Sequence, residues 1–240
     1  MLYTINMLKK ILQHSLMHAG GRMLGLAVGV VSMGLMARYL GQEQFGWYVI
    51  SFTWLQFFSI AVDFGFYLVG LKMLGETSDE FLQKNIFSQI WWLRLFSGII
   101  LVLIAPNFIW FLPYVVEIKI GVSVLAASFF FANINQLLTV SFQKTVRMHI
   151  VALAEILGKI ATLVILYLAI VLDLGFVWAL ATAGVYGLVQ LFVLFWKKSK
   201  QHSIVWLWDR DLIRKILIQA WPLGVIILLN TLYFKADTII

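Results

Sequence analysis

The chain has no cysteine, only three prolines, and few charged side chains, which make up 12% of its 240 residues. The absence of cysteine excludes a disulfide scaffold, a thiolate zinc site and a cysteine nucleophile. Soluble domains carry about 25% charged and roughly 45–50% apolar residues, whereas 62% of this chain is apolar. A soluble fold of this size could not bury so much apolar surface. The composition therefore indicates a protein whose solvent is lipid.

Long apolar runs divide the chain into membrane-spanning segments. A spanning helix needs about 20 predominantly apolar residues. Seven stretches meet this requirement, at residues 15–40, 46–71, 86–112, 118–142, 150–172, 174–196 and 216–240. They are continuous and lack the alternating period of a lipid-facing β-barrel. The sequence predicts an all-α, polytopic membrane helix bundle of about seven transmembrane helices.

Basic residues are distributed unequally between the two sides of these spans. If the N-terminus is cytoplasmic, twelve of the 18 Lys and Arg residues lie in cytoplasmic segments, two lie outside and four lie within spans. The positive-inside rule therefore places the N-terminus in the cytoplasm of a multi-pass protein of the inner (cytoplasmic) membrane. The net charge of +7 is attributed to loops facing an anionic leaflet rather than to a nucleic acid partner.

Three ionisable residues are expected at one depth in the cytoplasmic half of the membrane. Arg22, Asp63 and Arg94 each lie about seven or eight residues from the inner end of a span. Charged groups in spans are costly and usually face the bundle interior. We expect Asp63 to neutralise Arg22 or Arg94, either as a structural ion pair or in a functional role. The remaining arginine is assigned to binding an anionic ligand.

Other polar residues within the spans give further candidates. His18 lies one turn from Arg22 on a basic stripe that begins at Lys10, and it is either part of an access track for an anionic ligand or a snorkelling interfacial face. Two histidines spaced by four residues lack a third ligand nearby, so no metal site is predicted. Asn133 and Gln136 share a helical face and are candidates for lining a wet cavity.

Two pairs of opposite charge complete the candidate residues. Glu155 and Lys159 have the favoured spacing for an intrahelical ion pair, and the alternative is that Glu155 titrates in an ion-coupled cycle. Arg38 and Asp237 lie at the outer ends of their spans, where they either close a gate or meet solvent independently. No catalytic constellation and no glycine-rich phosphate loop are present, so neither an enzyme nor a cofactor is predicted.

Several short motifs resemble those of one transporter family. They occur in order along the whole chain, at residues 37–41 (ARYLG), 45–48 (FGWY), 62–66 (VDFGF), 142–143 (FQ), 147–148 (RM), 220–223 (AWPL) and 233–240 (YFKADTII). Together with the topology they resemble the polysaccharide biosynthesis flippases of the MOP superfamily, of the O-antigen or capsule repeat-unit type.

The resemblance implies a two-lobed, alternating-access transporter. Residues 1–196 would form the N-terminal six-helix lobe, 197–215 a cytoplasmic linker, and 216–240 the first helix of a C-terminal lobe absent from this chain. The implied substrate is a polyprenyl-pyrophosphate-linked oligosaccharide, as used in lipopolysaccharide or capsule synthesis. In that case Arg22, Arg94 and His18 would contact the pyrophosphate, and Asp63 and Glu155 would be candidates for H⁺ or Na⁺ coupling.

Three other functions stay open at this point. A multidrug or cation antiporter of the same superfamily would prefer an acidic cavity. A membrane glycan polymerase or ligase would need a large outer loop with catalytic groups, whereas the longest outer loop here has only a few residues. A membrane scaffold that transports nothing would need no polar cavity.

Overall fold

The computed structural model describes the backbone of residues 2–144, 147–197 and 208–239, and the side chains of these residues apart from 2–19, 22, 61, 144, 231, 232 and 234–239. It is all-helical over these ranges. The helices are α1 (Leu2–Asp63), α2 (Phe66–Glu76), α3 (Glu80–Ile109), α4 (Val116–Lys144), α5 (Met148–Val171), α6 (Phe176–Trp196) and α7 (Arg210–Ile239). Within the described ranges, six helices are long and apolar enough to cross a membrane.

The longest helix, α1, is two spanning arms joined at Gly41. This glycine has φ +70° and ψ −179°, which is non-helical. On either side of it, Tyr39 bonds the α5–α6 turn and Trp47 packs edge-on against Phe176. The break thus lies at one end of the bundle, here called the upper end, with the 110–115 and 172–175 turns. The opposite end, which holds the 77–79 turn and the start of α5 at Met148, is called the lower end.

Contacts along the two arms show that they run in opposite directions. The first arm (residues 2–40) runs upward beside α5, since Gly21 faces Ala152 and Tyr39 reaches the turn after α5. The second arm (residues 42–63) runs downward, because Ser51 bonds the start of α4 and Asp63 reaches the middle of α3. With the arms counted separately, seven segments of the described chain cross the bundle, which confirms the number of spans expected from the apolar runs.

Two apolar cores fill the bundle, one towards each end. The lower core is built from side chains such as Phe87, Leu138 and Ile216, and the upper core from others such as Leu55, Leu125 and Leu180. Polar residues of α3, α4 and α6 occupy the level between the cores, among them Arg94, Asn133, Asn135, Thr182 and Gln190, all of them buried. Most lipid-facing positions carry exposed apolar side chains, as expected when lipid replaces water. The interior polar layer is therefore the unusual feature of this bundle.

The structure differs from the expected spans at two places. α7 begins at Arg210, six residues before the expected start, because the charged turn 210–215 is helical as well. The second span, expected to be continuous over residues 46–71, is interrupted at Phe64 and Gly65. Apolar content alone carries no information on the backbone dihedral angles that cause this interruption.

Candidate functional site: a broken helix, a buried ion pair and a polar cavity

The interruption of the second span lies directly after Asp63. Phe64 has φ +43° and Gly65 has φ +82°, and a positive φ is uncommon for a residue with a side chain. The helix resumes at Phe66, with Val69 N–H donating to the carbonyl of Gly65. Asp63 is therefore the last residue of a half-helix, where the helix dipole is negative and an anionic side chain is unfavourable without a cation nearby.

Arg94 supplies that cation. It forms an ion pair with Asp63, donates from Nη1 to the carbonyl of Asn133 over 2.6 Å, and places both Nη atoms 3.3 Å from Oε1 of Gln136. Its side chain is 1% exposed, and that of Asp63 is 23% exposed. Arg94 thus ties the broken second span to α3 and α4 in the middle of the bundle.

This arrangement selects between the alternatives for Asp63 and changes the expectation for Arg94. Asp63 pairs with Arg94, one of the two arginines considered for it. We expected Arg94 to present its charge to a ligand. In the structure its guanidinium is instead buried and enclosed by protein groups. The side chains of Arg22 and His18 lie outside the described residues.

The broken segment also packs closely against α7. A Cβ atom on Gly65 would lie 3.0 Å from the carbonyl oxygen of Ala220 and 3.0 Å from Cβ of Leu223. A Cβ atom on Gly224 would lie 3.0 Å from the carbonyl oxygen and the ring of Phe64. Both glycines are needed for this approach, and they bring the backbone of α7, next to its internal proline, against the interruption.

A polar cavity of about 480 Å³ lies beside the ion pair. Its lining residues come mainly from α4, α5 and α6, and they are Tyr67, Ala132, Asn135, Gln136, Thr139, Glu155, Tyr186 and Gln190. Gln136 belongs both to this lining and to the Arg94 contacts. The cavity therefore adjoins the interior polar layer, and it opens to the outside of the bundle where Ala132 and Gln136 are exposed.

Hydrogen bonds hold several lining groups in place. Asn135 donates from Nδ2 to the carbonyl of Gly187 over 2.9 Å and to Oε1 of Gln190 over 3.2 Å. Tyr67 donates its hydroxyl to Oε1 of Gln143 over 3.1 Å. Close contact of α4 with α6 at Gly187, where a Cβ would lie 2.5 Å from Cβ of Phe131, makes the Asn135 bond possible.

Asn133 and Asn135 occupy different sides of α4. The expected cavity pair was Asn133 with Gln136, but Asn133 faces α3, where its Nδ2 lies 3.6 Å from the Cβ position of Gly98. Asn135 lines the cavity together with Gln136. An i, i+3 spacing places two residues on one face, but long side chains at neighbouring positions can still reach a shared space.

Glu155 and Lys159 are separated rather than paired. Among the described residues the two salt bridges are Asp63–Arg94 and Lys72–Glu76. Glu155 lines the polar cavity, whereas Nζ of Lys159 lies 3.3 Å from the Cβ position of Gly25 on α1. Lys159 lines a smaller adjacent cavity of about 130 Å³. The expected intrahelical neutralisation of Glu155 is thus absent from this conformation.

The upper end carries a different contact from the expected gate. Tyr39 donates its hydroxyl to Oδ1 of Asp173 over 2.9 Å and accepts from the backbone N–H of Gly175 over 2.8 Å. Arg38 is exposed, and the side chain of Asp237 lies outside the described residues. The Arg38–Asp237 gate therefore stays a prediction, while Tyr39, inside the ARYLG motif, fastens α1 to the α5–α6 turn.

Comparisons with known proteins agree with this architecture. A family model described as "Polysaccharide biosynthesis protein" matches residues 35–240. Among solved structures, the chain is similar to a MOP superfamily transporter from Pyrococcus furiosus, with a TM-score of 0.69 and 18% sequence identity. The alignment covers 94% of this chain and 54% of that one, so this chain spans about half of its length. A comparison with curated proteins finds no match.

Proposed function

The chain belongs to the polysaccharide biosynthesis protein family, and from this premise we propose that it is a membrane transporter that flips a polyprenyl-pyrophosphate-linked oligosaccharide by alternating access. The transporter fold supports this proposal, since 94% of the chain aligns with a MOP superfamily transporter. The observation that carries it is the polar cavity of about 480 Å³, which opens between helices of the membrane bundle next to the buried ion pair.

The cavity suits a glycan in both size and chemistry. Pockets for small molecules have volumes of about 300–1,000 Å³, and this one lies within that range. Its walls offer amide groups from Asn135, Gln136 and Gln190 and a hydroxyl from Thr139, which are groups that exchange hydrogen bonds with sugar hydroxyls. Polar groups at membrane depth are expensive unless they serve a pathway or a partner.

The orientation follows from the basic residues at the lower end of the bundle. Lys72, Lys84, Arg147 and Lys197 all lie near the lower-end turns, and the positive-inside rule makes this end cytoplasmic. We place residues 1–196 in one lobe, 197–215 in a linker and 216–240 at the start of a second lobe. The assignment of the pyrophosphate to His18 and Arg22, on the first arm, rests on the sequence alone.

In this mechanism the two lobes rock against each other around the cavity. The broken second span and the Asp63–Arg94 pair keep α1, α3 and α4 together as one body during that motion. The closely packed contact of residues 64–65 with α7 transmits displacement between the first lobe and the helix that begins the second.

A flipping assay with the full-length protein tests the proposal. Proteoliposomes carry a fluorescent polyprenyl-pyrophosphate oligosaccharide, and a membrane-impermeant quencher reports how much of it has moved between leaflets. We expect Gln136→Leu to slow flipping at least tenfold, because it removes a cavity amide held by Arg94. The matched control is Gln42→Leu, at an exposed position beyond the Gly41 break, which we expect to flip at the wild-type rate.

Equal flipping in protein-free liposomes and in wild-type proteoliposomes would overturn the proposal. Covalent extension of the glycan in the same vesicles would instead indicate a polymerase or ligase. The lipid-linked glycan is therefore recovered at the end of each assay and its mass is measured.

One observation favours a second function, that of a cation antiporter. Glu155 is an ionisable cavity residue, and Lys159 does not neutralise it. An acidic cavity attracts cations. The same proteoliposomes are tested for uptake of a lipophilic cation driven by an H⁺ or Na⁺ gradient, and gradient-dependent uptake without flipping would select this function.

A further inference from the structure

One exposed face of α4 leads from the 480 Å³ cavity towards the lower end of the bundle. We propose that this face forms a groove for the sugar units of the cargo, in which the amides of Gln136 and Gln143 donate hydrogen bonds to sugar oxygens. The inference rests on the proposed function, and it extends the binding site from the cavity to Gln143, near the lower end of α4.

This face of α4 differs from a lipid-facing surface. Between residues 132 and 143 the exposed side chains are those of Ala132, Gln136 and Gln143, and Thr139 is half-buried on the same side of the helix. Their spacing aligns them along one face. α5, by contrast, exposes several leucine, isoleucine and valine side chains. Polar groups at membrane depth are costly unless they serve a pathway or a partner, so this face of α4 suits a polar ligand better than acyl chains.

Gln136 supplies the upper donor of the groove. Both Nη atoms of Arg94 lie 3.3 Å from its Oε1. Because a guanidinium only donates hydrogen bonds, this contact fixes the oxygen side of the amide towards Arg94 and leaves Nε2 to donate to a ligand. Gln136 is exposed although Arg94 is buried, so a ligand in the groove can reach its side chain. Arg94 is thus a positioning residue for the groove.

Gln143 supplies the lower donor in the same way. Its Oε1 accepts a hydrogen bond of 3.1 Å from the hydroxyl of Tyr67, which leaves Nε2 to donate, and the side chain is exposed. Tyr67 also lines the cavity, so one residue connects the cavity to the lower donor. The seven residues from Gln136 to Gln143 correspond to about 10 Å along the helix axis. One sugar ring can lie beside one amide, whereas a chain of linked rings can lie beside both.

Photocross-linking tests the groove with the natural cargo, in the full-length protein and in the membranes of its own host. The photoreactive residue p-benzoylphenylalanine replaces Gln143 in one variant, Ala132 in a second and Leu157 in a third. The adducts are digested and analysed by mass spectrometry. We expect sugar-containing adducts from positions 132 and 143. Position 157, on the apolar exposed side of α5, should give adducts with lipid alone.

The outcomes separate this inference from the transport function. Sugar adducts at position 132 without any at 143 would overturn the groove and leave the proposed function intact. Sugar adducts at neither position would overturn both. Adducts that join position 143 to another segment of the protein, without sugar, would show that this face of α4 packs against protein and would also overturn the groove.

Flipping kinetics test the donors themselves. In the proteoliposome assay, Gln143→Leu should raise the KM for the lipid-linked oligosaccharide about threefold to tenfold, because it removes one hydrogen bond to the ligand, and should leave kcat nearly unchanged. Tyr67→Phe, which releases the amide of Gln143 from its anchor, should raise the KM by a smaller factor. The control Gln42→Leu, at an exposed position of α1, should leave the KM unchanged. A wild-type KM in Gln143→Leu would overturn the inference.

Discussion

Removal of Arg94 should destabilise the protein more than removal of any exposed charge, because Arg94 joins three helices. The Arg94→Met variant retains much of the side-chain volume but leaves Asp63, at a helix C-terminus, without its one salt-bridge partner among the described residues. It also removes the donors that serve Asn133 and Gln136. Breaking a buried ion pair by deleting one partner costs about 3–5 kcal/mol. In a protein of this size that corresponds to a fall in Tm of about 6–20 °C.

The assay is thermal unfolding of the detergent-solubilised protein, followed by tryptophan fluorescence and repeated for a double-mutant cycle. Asp63→Leu combined with Arg94→Met removes both charges, and we expect the pair to be less destabilising than the sum of the single changes by about 2–3 kcal/mol. The control is Lys72→Met, which breaks the exposed pair with Glu76 at 64% and 65% exposure and should cost about 0.5 kcal/mol or less. Additive effects of the two buried changes, or a loss from Arg94→Met no larger than that of the control, would refute the reasoning.

Other positions give sharp contrasts between matched variants. Gly187→Ala should lower the free energy of unfolding by about 1–3 kcal/mol, since its Cβ would lie 2.5 Å from Cβ of Phe131, whereas Gly184→Ala should be tolerated, because its nearest neighbour is 3.7 Å away. Thermal unfolding of both variants checks this, and equal Tm values would contradict the close packing of α4 on α6. Tyr39→Phe should lower the free energy of unfolding by about 1–2 kcal/mol, through loss of the bonds to Asp173 and Gly175, and should speed backbone hydrogen exchange in the turn after α5. Unchanged exchange there would show that the hydroxyl does not fasten this turn.

Hydropathy was sufficient to predict the number of spans, because the need to satisfy every backbone polar group in lipid leaves a continuous helix as the only solution for an apolar run. It also located the turn after Leu40, where Gly41 begins a polar run. The structure makes the reversal at this single residue instead of through a loop, since a glycine with positive φ can redirect the chain by itself.

Hydropathy does not detect the break at Phe64, because it measures only whether residues are compatible with lipid. Phe64, Gly65 and Phe66 are all compatible with lipid, and only the left-handed backbone at residues 64 and 65 interrupts the helix. The signal available was Asp63 two residues before a glycine, inside an apolar run. Depth along the spans correctly brought Asp63 and an arginine together, because opposite charges at one level of a bundle lower each other's cost.

The cavity was only partly predictable. Sequence spacing gives the distance between positions on one helix, but it does not determine which neighbouring helix a long side chain contacts. Lys159 lies against Gly25 of α1 because that glycine leaves room for its stem, and Glu155 is left facing the cavity. Such a choice depends on the packing of helices distant in sequence, which only the assembled structure shows.

The contact between residues 64–65 and α7 has a mechanical consequence. Helices that interlock through large side chains resist turning against each other, since each side chain must leave the space it fills. Here the contact is made at two glycines, Gly65 and Gly224, where a Cβ atom would come within 3.0 Å of atoms of the facing segment. Small residues let two helix backbones approach closely and so hold their axes at a short spacing. We expect α7 to move relative to the first six spans by tilting over this contact, without parting from them.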